Sequence, residues 1–541
     1  MRRNDTYGDR RATTLVARVT AKRAVRSGAI WGLGFGVYAA LQTSAYRSAY
    51  PTVAARERFA QSFAGNRGLA AVLGPAAHLE TVAGYMSWRL GVLGIIGAIW
   101  GLLLATRLLR GEEDAGRWEL LLSGQTTRRR AAGQAIVGLA AGLAAMWALT
   151  AAFMVAEGTR TAVGFSAGAC SFWAICAVAS AAMFIALGLL IGQLCATRRR
   201  ANGLAAAAFG ASFLIRLVAD SSDGLEWLRW ASPLGWVEEL HPLIGTRTTA
   251  LVPIVALVIL ATGGALVIAG RRDLGASVLA NRDTAIAHTR LLGGPGGLAV
   301  RLSRSVALGW IAGLAVLGLV MGVVAQSASK AFSSKFDQKF FHVGVQHGGA
   351  ESYLGIAFIV AAALIAFAAA GQITSARNDE ADGSLDNLLV QPVARARWLG
   401  DRLALSATII VLAGAATGIA AWIGARTQHT DVAFGALLQA GFNVAAPALF
   451  VLGIGALVYG LLPRLVSPVL YGLVVWSFVV EIIGPSIKAN HWILDTAILS
   501  HIAPAPAADP NWTAVAWLIA LGLAAAAVGA LAFNRRDLAN A

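Results

Sequence analysis

The stretch GEEDAGRWELLLSGQTTRRR, residues Gly111–Arg130, has a second copy in NDEADGSLDNLLVQPVARAR, residues Asn378–Arg397. We call these the first and second repeated segments. Gly116 aligns with Gly383, so the offset is 383 − 116 = 267 residues. Each copy lies between long apolar stretches. We therefore infer that one membrane-embedded half-unit, with a specialised loop inside it, has been duplicated and fused.

The composition indicates a polytopic membrane protein. Of the 541 residues, 57% are hydrophobic and only 13% are charged, whereas soluble domains are about 25% charged. The mean hydropathy is +0.65. Repeated apolar runs of about 20 residues are long enough to cross the hydrocarbon core. No charged region is long enough to fold as a large soluble domain, so such a domain is excluded.

The apolar runs predict about twelve spans, six in each half. The fold class is therefore an all-α integral membrane protein built as two parallel six-helix repeats about an axis along the membrane normal. We expect the spans near residues 28–46, 84–106, 133–156, 163–195, 201–219 and 250–269, and then near residues 306–325, 353–375, 402–424, 433–460, 466–487 and 513–533.

The ends of the two halves repeat as well. GRRDLGAS begins at Gly270 and NRRDLANA begins at Asn534, with an offset of 535 − 271 = 264 residues. This spacing is close to that of the repeated segments. We therefore divide the chain into a first half over residues 1–272, a cytoplasmic linker over 273–297 and a second half over 298–541.

Three segments outside the spans are expected to lie near the membrane surface. Residues 13–26 alternate apolar and basic side chains, which predicts a helix at the cytoplasmic interface. Residues 225–244 and 488–512 are too apolar for ordinary outer loops. They are either short helices that dip back into the bilayer or aromatic anchors at the headgroups.

The charge pattern predicts orientation. The net charge of +16 lies mostly in short loops on one side of an even-numbered layout, which predicts cytoplasmic termini and makes nucleic acid an improbable partner. The three cysteines lie in or beside apolar spans, and no metal-binding spacing occurs.

Each repeated segment begins with acids and ends with arginines, an order that complements a helix macrodipole. Trp118, Leu121 and Leu122, like Leu385, Leu388 and Leu389, recur at i, i+3 and i+4 and form an apolar stripe. Such an element suits a helix that a second protein grips. The alternative is a helix that packs beneath its own bundle.

Through their acids, glycine, paired leucines and arginines, the two repeated segments resemble the acidic–Gly–x–x–Glu–x–Leu–Leu–x–x–Pro–x–x–Arg loop of ABC-2 type exporter permeases. In that family the loop carries the coupling helix that contacts an ATP-hydrolysing partner. The fused twelve-span form is similar to actinobacterial exporters of polyketide antibiotics and drugs, tetronasin-type among them. One departure is Gln125, where the second copy has Pro392, so the two docking sites need not be equivalent.

The resemblance implies a permease in the bacterial cytoplasmic membrane that moves a hydrophobic or amphipathic compound outward. It implies two ATP-binding subunits as partners, which carry ATP and magnesium, and no cofactor on this chain. The expected coupling residues are Glu112, Glu113, Gly116, Arg117, Trp118, Glu119, Leu121 and Leu122 in the first copy, and Asp379, Glu380, Gly383, Leu385, Asp386, Leu388, Leu389 and Arg395 in the second.

The energy source must lie elsewhere. No G-x-x-x-x-G-K-[ST] occurs, so the chain cannot bind ATP in the P-loop manner and is not expected to be an enzyme. The alternative is an ion-gradient-driven multidrug carrier with a six-plus-six layout. Such carriers need acids or histidines deep in the membrane, and the predicted spans essentially lack acids near their middle.

Arg216 and Glu481 are separated by 481 − 216 = 265 residues and therefore occupy equivalent positions in the two halves. We expect them to form an ion pair at the central interface that helps to hold the exit closed; the alternative is that each side chain extends outward alone. Aromatic residues on the same spans either line a hydrophobic substrate path or face lipid: Phe209, Phe213, Tyr471, Trp476 and Phe478.

Overall fold

The computed structural model describes residues 5–63, 74–114, 116, 127–220, 224–271, 291, 293–331, 349–483 and 490–537. Over these residues the chain is helical and contains no β-strand, which confirms the predicted all-α class. The chain forms two compact units, Met1–Ala285 and Ile286–Ala541. The boundary between the units falls inside the segment predicted to be the linker.

In its described part the first unit contains ten α-helices. Several begin at a side-chain cap: the hydroxyl of Ser166 accepts a hydrogen bond from the backbone N–H of Ala169, and Thr127 caps in the same way. The helices are α1 Asp5–Ala49, α2 Val53–Phe63, α3 Val82–Trp88, α4 Leu90–Leu108, α5 Arg110–Asp114, α6 Arg128–Gly158, α7 Ala167–Leu194, α8 Arg198–Asp220, α9 Pro233–Glu239 and α10 Leu251–Arg271.

The second unit continues the numbering with nine described α-helices. These are α11 Pro295–Ala331, α12 Ala350–Ala381, α13 Ser384–Leu389, α14 Arg395–Thr427, α15 Phe434–Asn443, α16 Ala445–Leu461, α17 Val466–Ile483, α18 His491–Leu494 and α19 Trp512–Arg535.

Helix pairing follows the same order in both units. In the first, α1 packs along α6, α4 along α7, and α7 along α10. In the second, α11 packs along α14, α12 along α16, and α16 along α19. The helices thus repeat their packing as well as their sequence.

Glycines let the longest helix pairs approach closely. A Cβ added at Gly28 of α1 would lie 2.0 Å from the carbonyl oxygen of Gly142 on α6. A Cβ at Gly322 of α11 would lie 2.0 Å from the carbonyl oxygen of Ala421 on α14. Backbone contact of this kind is typical of membrane helices that associate through small residues.

Burial separates inner from outer helices. The most apolar window of α7 is 78% buried, whereas that of α10 is only 17% buried although it is more hydrophobic. Exposed apolar side chains such as Val252 and Leu260 project from α10. An apolar surface of this kind suits contact with lipid chains rather than water.

Within the described residues, eleven helical stretches are long and apolar enough to cross a membrane. They correspond to eleven of the roughly twelve predicted spans. The exception is the stretch 28–46 in α1, whose hydropathy is lowered by four glycines and the polar residues Gln42–Ser44. Gly28, Gly32 and Gly36 pack on α6, so three of its four glycines serve helix contact.

Two of the surface segments contain the short helices that the sequence suggested. Residues 225–244 form a 3-10 helix, Glu226–Ala231, followed by α9, and the described part of 488–512 contains α18 and a second 3-10 turn, Leu499–His501. Residues 13–26, in contrast, are part of α1, which continues without a break into the first apolar stretch.

Candidate functional site

The second repeated segment is a helix–turn–helix. Helix α12 ends at Ala381, and the chain reverses at Gly383, where φ is +71°. The Gly383 N–H donates to the carbonyl oxygen of Glu380 at 3.0 Å. Glycine adopts this left-handed conformation without the steric cost that a Cβ imposes. The turn then leads directly into α13.

The first repeated segment makes the same turn. Gly116 has φ +70°, and its N–H donates to the carbonyl oxygen of Glu113 at 3.0 Å. The glycine that aligned the two copies therefore serves one backbone function in both. The predicted coupling residues Arg117, Trp118, Glu119, Leu121 and Leu122 lie outside the described residues.

The apolar stripe of α13 faces its own unit. Leu385 is fully buried, and Leu388 and Leu389 pack against the same hydrophobic core. Beyond α13, the side chain of Val390 is 84% exposed, and Gln391 and Pro392 are exposed beside it. The tip Val390–Pro392 is therefore exposed, whereas the three leucines pack on the unit's own core; their predicted coupling role remains a prediction.

Glu380 is bound at the base of the second segment by a residue from the other end of the unit. Its carboxylate accepts two hydrogen bonds from Arg536, from Nη1 at 2.8 Å and from Nη2 at 2.7 Å. The pair is largely buried. The Arg536 guanidinium lies over the rings of Tyr459 and Phe533, 5.2 and 5.3 Å from their centroids. Such a bidentate pair fixes distance and orientation together.

Further contacts draw in α14. Arg395 Nη1 donates to the carbonyl oxygen of Arg536 at 2.8 Å. Asp379 pairs with Arg402, whose guanidinium lies 5.0 Å from the centroid of Trp398. The base of the second segment thus joins the ends of α12, α14, α16 and α19. The Arg-Arg-Asp ending repeats visibly in the sequence, but nothing in the sequence places it at this site.

The first segment is anchored by a different set of described contacts. Arg110, 2% exposed, pairs with Glu113 at 3.1 Å and Asp114 at 3.0 Å and donates to the carbonyl oxygen of Ala196. Arg23 of α1 pairs with Glu112 at 2.7 Å. Helix α5 is therefore tied to α1 and to the connection between α7 and α8.

The gate candidates lie on α8 and α17. Within the first unit, Arg216 lies 2.8 Å from Glu238 and 3.4 Å from Asp220. The repeat spacing in the sequence does not identify either acid as a partner of Arg216. Glu481 lies near the end of α17, and the Arg216–Glu481 ion pair remains a prediction.

The candidate substrate-path aromatics also lie on α8 and α17. Phe209 contacts Phe184 and Phe213, with ring centroids 5.8 and 6.4 Å away. Tyr471 stacks on Phe367, and Trp476 donates to Thr496 Oγ1 at 2.9 Å. Phe478 packs at the edge of the second unit's core. A role in a substrate path remains a prediction for all five.

Two comparisons with known proteins agree with this architecture. The family described as "Multidrug efflux system permease Rv1217c, C-terminal domain" matches residues 20–271 and 292–534, which fall in the two compact units. The chain is also 27% identical, over 522 residues, to the Multidrug efflux system permease protein Rv1217c of Mycobacterium tuberculosis (strain ATCC 25618 / H37Rv). This alignment covers 94% of this chain and 92% of that relative. The chain therefore belongs to the Rv1217c multidrug efflux permease family.

Proposed function

We propose that this chain is the membrane-spanning permease subunit of an ATP-driven exporter that moves hydrophobic or amphipathic compounds, such as antibiotics or drugs, out of a bacterial cell. The name of its relative is that of a multidrug efflux permease. Eleven helical stretches among the described residues are long and apolar enough to cross a bilayer. The sequence holds no P-loop, so ATP and magnesium bind on a partner chain.

The observation that carries the coupling role is the build of the second repeated segment, an exposed tip on a buried base. Val390–Pro392 project from the unit, whereas the Glu380–Arg536 pair ties the base to the end of the last helix. Because the base joins four helix ends, a push on the tip moves them together. A partner that changes shape on ATP hydrolysis thereby acts on the membrane path.

The first repeated segment supplies a second docking site by the internal repeat. We infer two ATP-binding subunits, one for each repeated segment. The subunits, both repeated segments and both chain termini would lie on the cytoplasmic side of the cytoplasmic membrane. The Gln125/Pro392 difference supports docking sites that are similar without being identical.

The energy source separates this proposal from an ion-gradient-driven carrier. In inverted vesicles of the native host, we expect uptake of a fluorescent lipophilic drug to require hydrolysable ATP and to persist with a protonophore. A non-hydrolysable ATP analogue should not support it. Uptake driven by an imposed proton gradient without ATP would contradict the proposal.

A point variant tests the docking tip. Val390→Asp places a charge on an exposed side chain, so we expect thermal stability to change little and ATP-driven uptake to fall at least tenfold. The matched control is Val53→Asp. It alters an exposed valine at the start of α2, close to the C-terminal end of α1. Equal uptake by both variants would remove the coupling role from the tip.

The side of the membrane is tested with Val390→Cys. The native cysteines Cys170, Cys176 and Cys195 are buried, so background labelling is expected to be low. A membrane-impermeant maleimide should label Val390→Cys in inverted vesicles and not in intact cells. The reverse pattern would place the tip outside the cell.

A further inference from the structure

A cluster of charged side chains lies at the end of the first unit opposite the repeated segment. It is formed by α8, the 3-10 helix Glu226–Ala231 and α9. Arg229 Nε donates to Asp220 Oδ1 at 2.5 Å, and its Nη1 lies 3.5 Å from Glu239 Oε1. Arg216 Nε lies between Asp220, at 3.4 Å, and Glu238, at 2.8 Å.

Glu238 differs from the other acids of this cluster. Its side chain is only 9% exposed, and neither carboxylate oxygen accepts a hydrogen bond. The Nε–H of Arg216 is directed at Asp220, so its short contact with Glu238 is an ion pair without an aligned hydrogen bond. A buried ionised carboxylate without hydrogen bonds is strongly unfavourable.

Among the described residues around Glu238, the buried charges leave one carboxyl group in excess. The three acids Asp220, Glu238 and Glu239 are buried, and the described arginines buried beside them are Arg216 and Arg229. A third arginine, Arg247, pairs with Glu239 but is 63% exposed, and Glu226 on the 3-10 helix is also exposed. Burial and the neighbouring Asp220 raise the pKa of Glu238 to about 8, although Arg216 and Arg229 oppose the shift.

Glu238 lines an open cavity, and both of its carboxylate oxygens are buried at the wall of that cavity. The cavity is continuous with solvent, and Glu238 lines it together with Gly74, Ser87, Trp88 and His241. The residues that line it from 74–77 and from the α3–α4 junction carry no charge. A Cβ added at Gly74 would lie 2.6 Å from Glu238 Oε1, so the chain backbone closes directly over the carboxyl group.

We propose that Glu238 is a proton-binding site, filled through this cavity, and that its proton neutralises the excess carboxyl group of the cluster that holds α9 against α8. Protonated Glu238 offers an O–H to the Asp220 carboxylate, and the two acids share one proton. On release, the proton passes to water in the cavity. Two anionic carboxylates then face each other, which weakens the contact between α9 and α8.

Thermal unfolding in detergent tests the site by its pH dependence. The folded chain holds the proton up to a pH of about 8, whereas an unfolded glutamate releases it near its ordinary pKa of about 4.3. The Glu238 contribution to stability is therefore complete below about pH 4 and is lost as pH rises to about 8. We expect the melting temperature to fall by on the order of 5 °C across that window.

Glu238→Gln imitates the protonated side chain and cannot titrate. We expect it to fold and to lose most of this pH dependence, while the control Glu226→Gln, at an exposed acid on the neighbouring 3-10 helix, keeps the wild-type profile. An identical pH profile for Glu238→Gln and the wild type would overturn the proposal.

A spectroscopic measurement on the wild type does not depend on how well a variant folds. In infrared difference spectra, raising the pH through about 8 should remove the C=O band of a protonated carboxyl group, and Glu238→Gln should lack this band change. A band that persists in Glu238→Gln would assign the proton to another residue. Restoration of stability at high pH by sodium or an alkylammonium ion, without the band, would show a cation site and overturn the proposal.

Discussion

The two repeated segments share a turn but differ in what fastens them. Gly116 and Gly383 have φ values of +70° and +71°, which is the same left-handed conformation. The acid three residues before each glycine is held by arginines from different places. Arg110, in the same short helix, pairs with Glu113, whereas Arg536, from the end of the last helix, pairs with Glu380.

A single difference in the repeat accounts for part of this contrast. Asp114 supplies a second carboxylate to Arg110, but the equivalent position in the second copy is Ala381. In the second copy, the arginine at the position equivalent to Arg110 therefore has one acid fewer within reach on its own helix. After the duplication both copies kept the backbone turn, which glycine forms at the lowest steric cost. The ion pairs, in contrast, diverged.

The largest expected effect comes from removing Arg536. Arg536→Ala leaves the buried Glu380 carboxylate without its bidentate partner, so we expect a loss of about 3–5 kcal/mol in stability. The double variant Arg536→Ala with Glu380→Ala removes both charges and should recover much of that loss. Thermal unfolding of the two single variants and the double variant in detergent measures the coupling energy.

Additive losses in this cycle would mean that the pair contributes nothing specific. The comparison becomes sharper with Arg110→Ala, which leaves Glu113 and Asp114 without that partner in the first unit. We expect a loss of similar size there, but one that Glu380→Ala does not change.

The two glycines should respond alike. An added Cβ at Gly116 or Gly383 meets no atom of the described residues within 4 Å, so we expect alanine at either position to cost the left-handed backbone conformation, about 1–2 kcal/mol. Asparagine adopts that conformation more readily and should restore part of the loss. Measured unfolding temperatures of Gly116→Ala and Gly383→Ala that differ widely would show that the turns are not equivalent.

Sequence alone predicted the helical class and most spans, and it aligned Gly116 with Gly383, because these depend on local composition and on an internal repeat. The expectation that acids begin and arginines end one helix was wrong for the second segment, where Glu380 lies in the last turn of α12 and Arg395 begins α14. Sequence alone also selected Glu380. It did not find Arg536, which lies 156 residues further along the chain, because sequence proximity carries no information about which distant helix ends meet. The Arg-Arg-Asp ending at both halves was the available signal.

The direction of an apolar stripe is likewise not fixed by its spacing. Leu385, Leu388 and Leu389 recur with helical period, which predicts a buried face but not the surface that buries it. In the structure that surface is the second unit's own core, and the exposed apolar residue is Val390, just outside the stripe. The stretch 28–46 of α1 shows the same limit, since three of its four glycines serve packing on α6.

The smallest effect concerns Glu112 and Asp379, which occupy equivalent positions at the start of the two segments. Arg23, which pairs with Glu112, is 50% exposed, so Arg23→Ala should cost only about 0.2–1 kcal/mol and less in high salt. Arg402, which pairs with Asp379, is mostly buried over Trp398. Arg402→Ala should therefore cost more and keep its cost in high salt, because packing is lost with the charge. If both variants lost the same amount of unfolding temperature, and salt reduced both losses, the two ion pairs would be equally weak. The contrast between the two repeated segments would then rest on the Glu380–Arg536 pair.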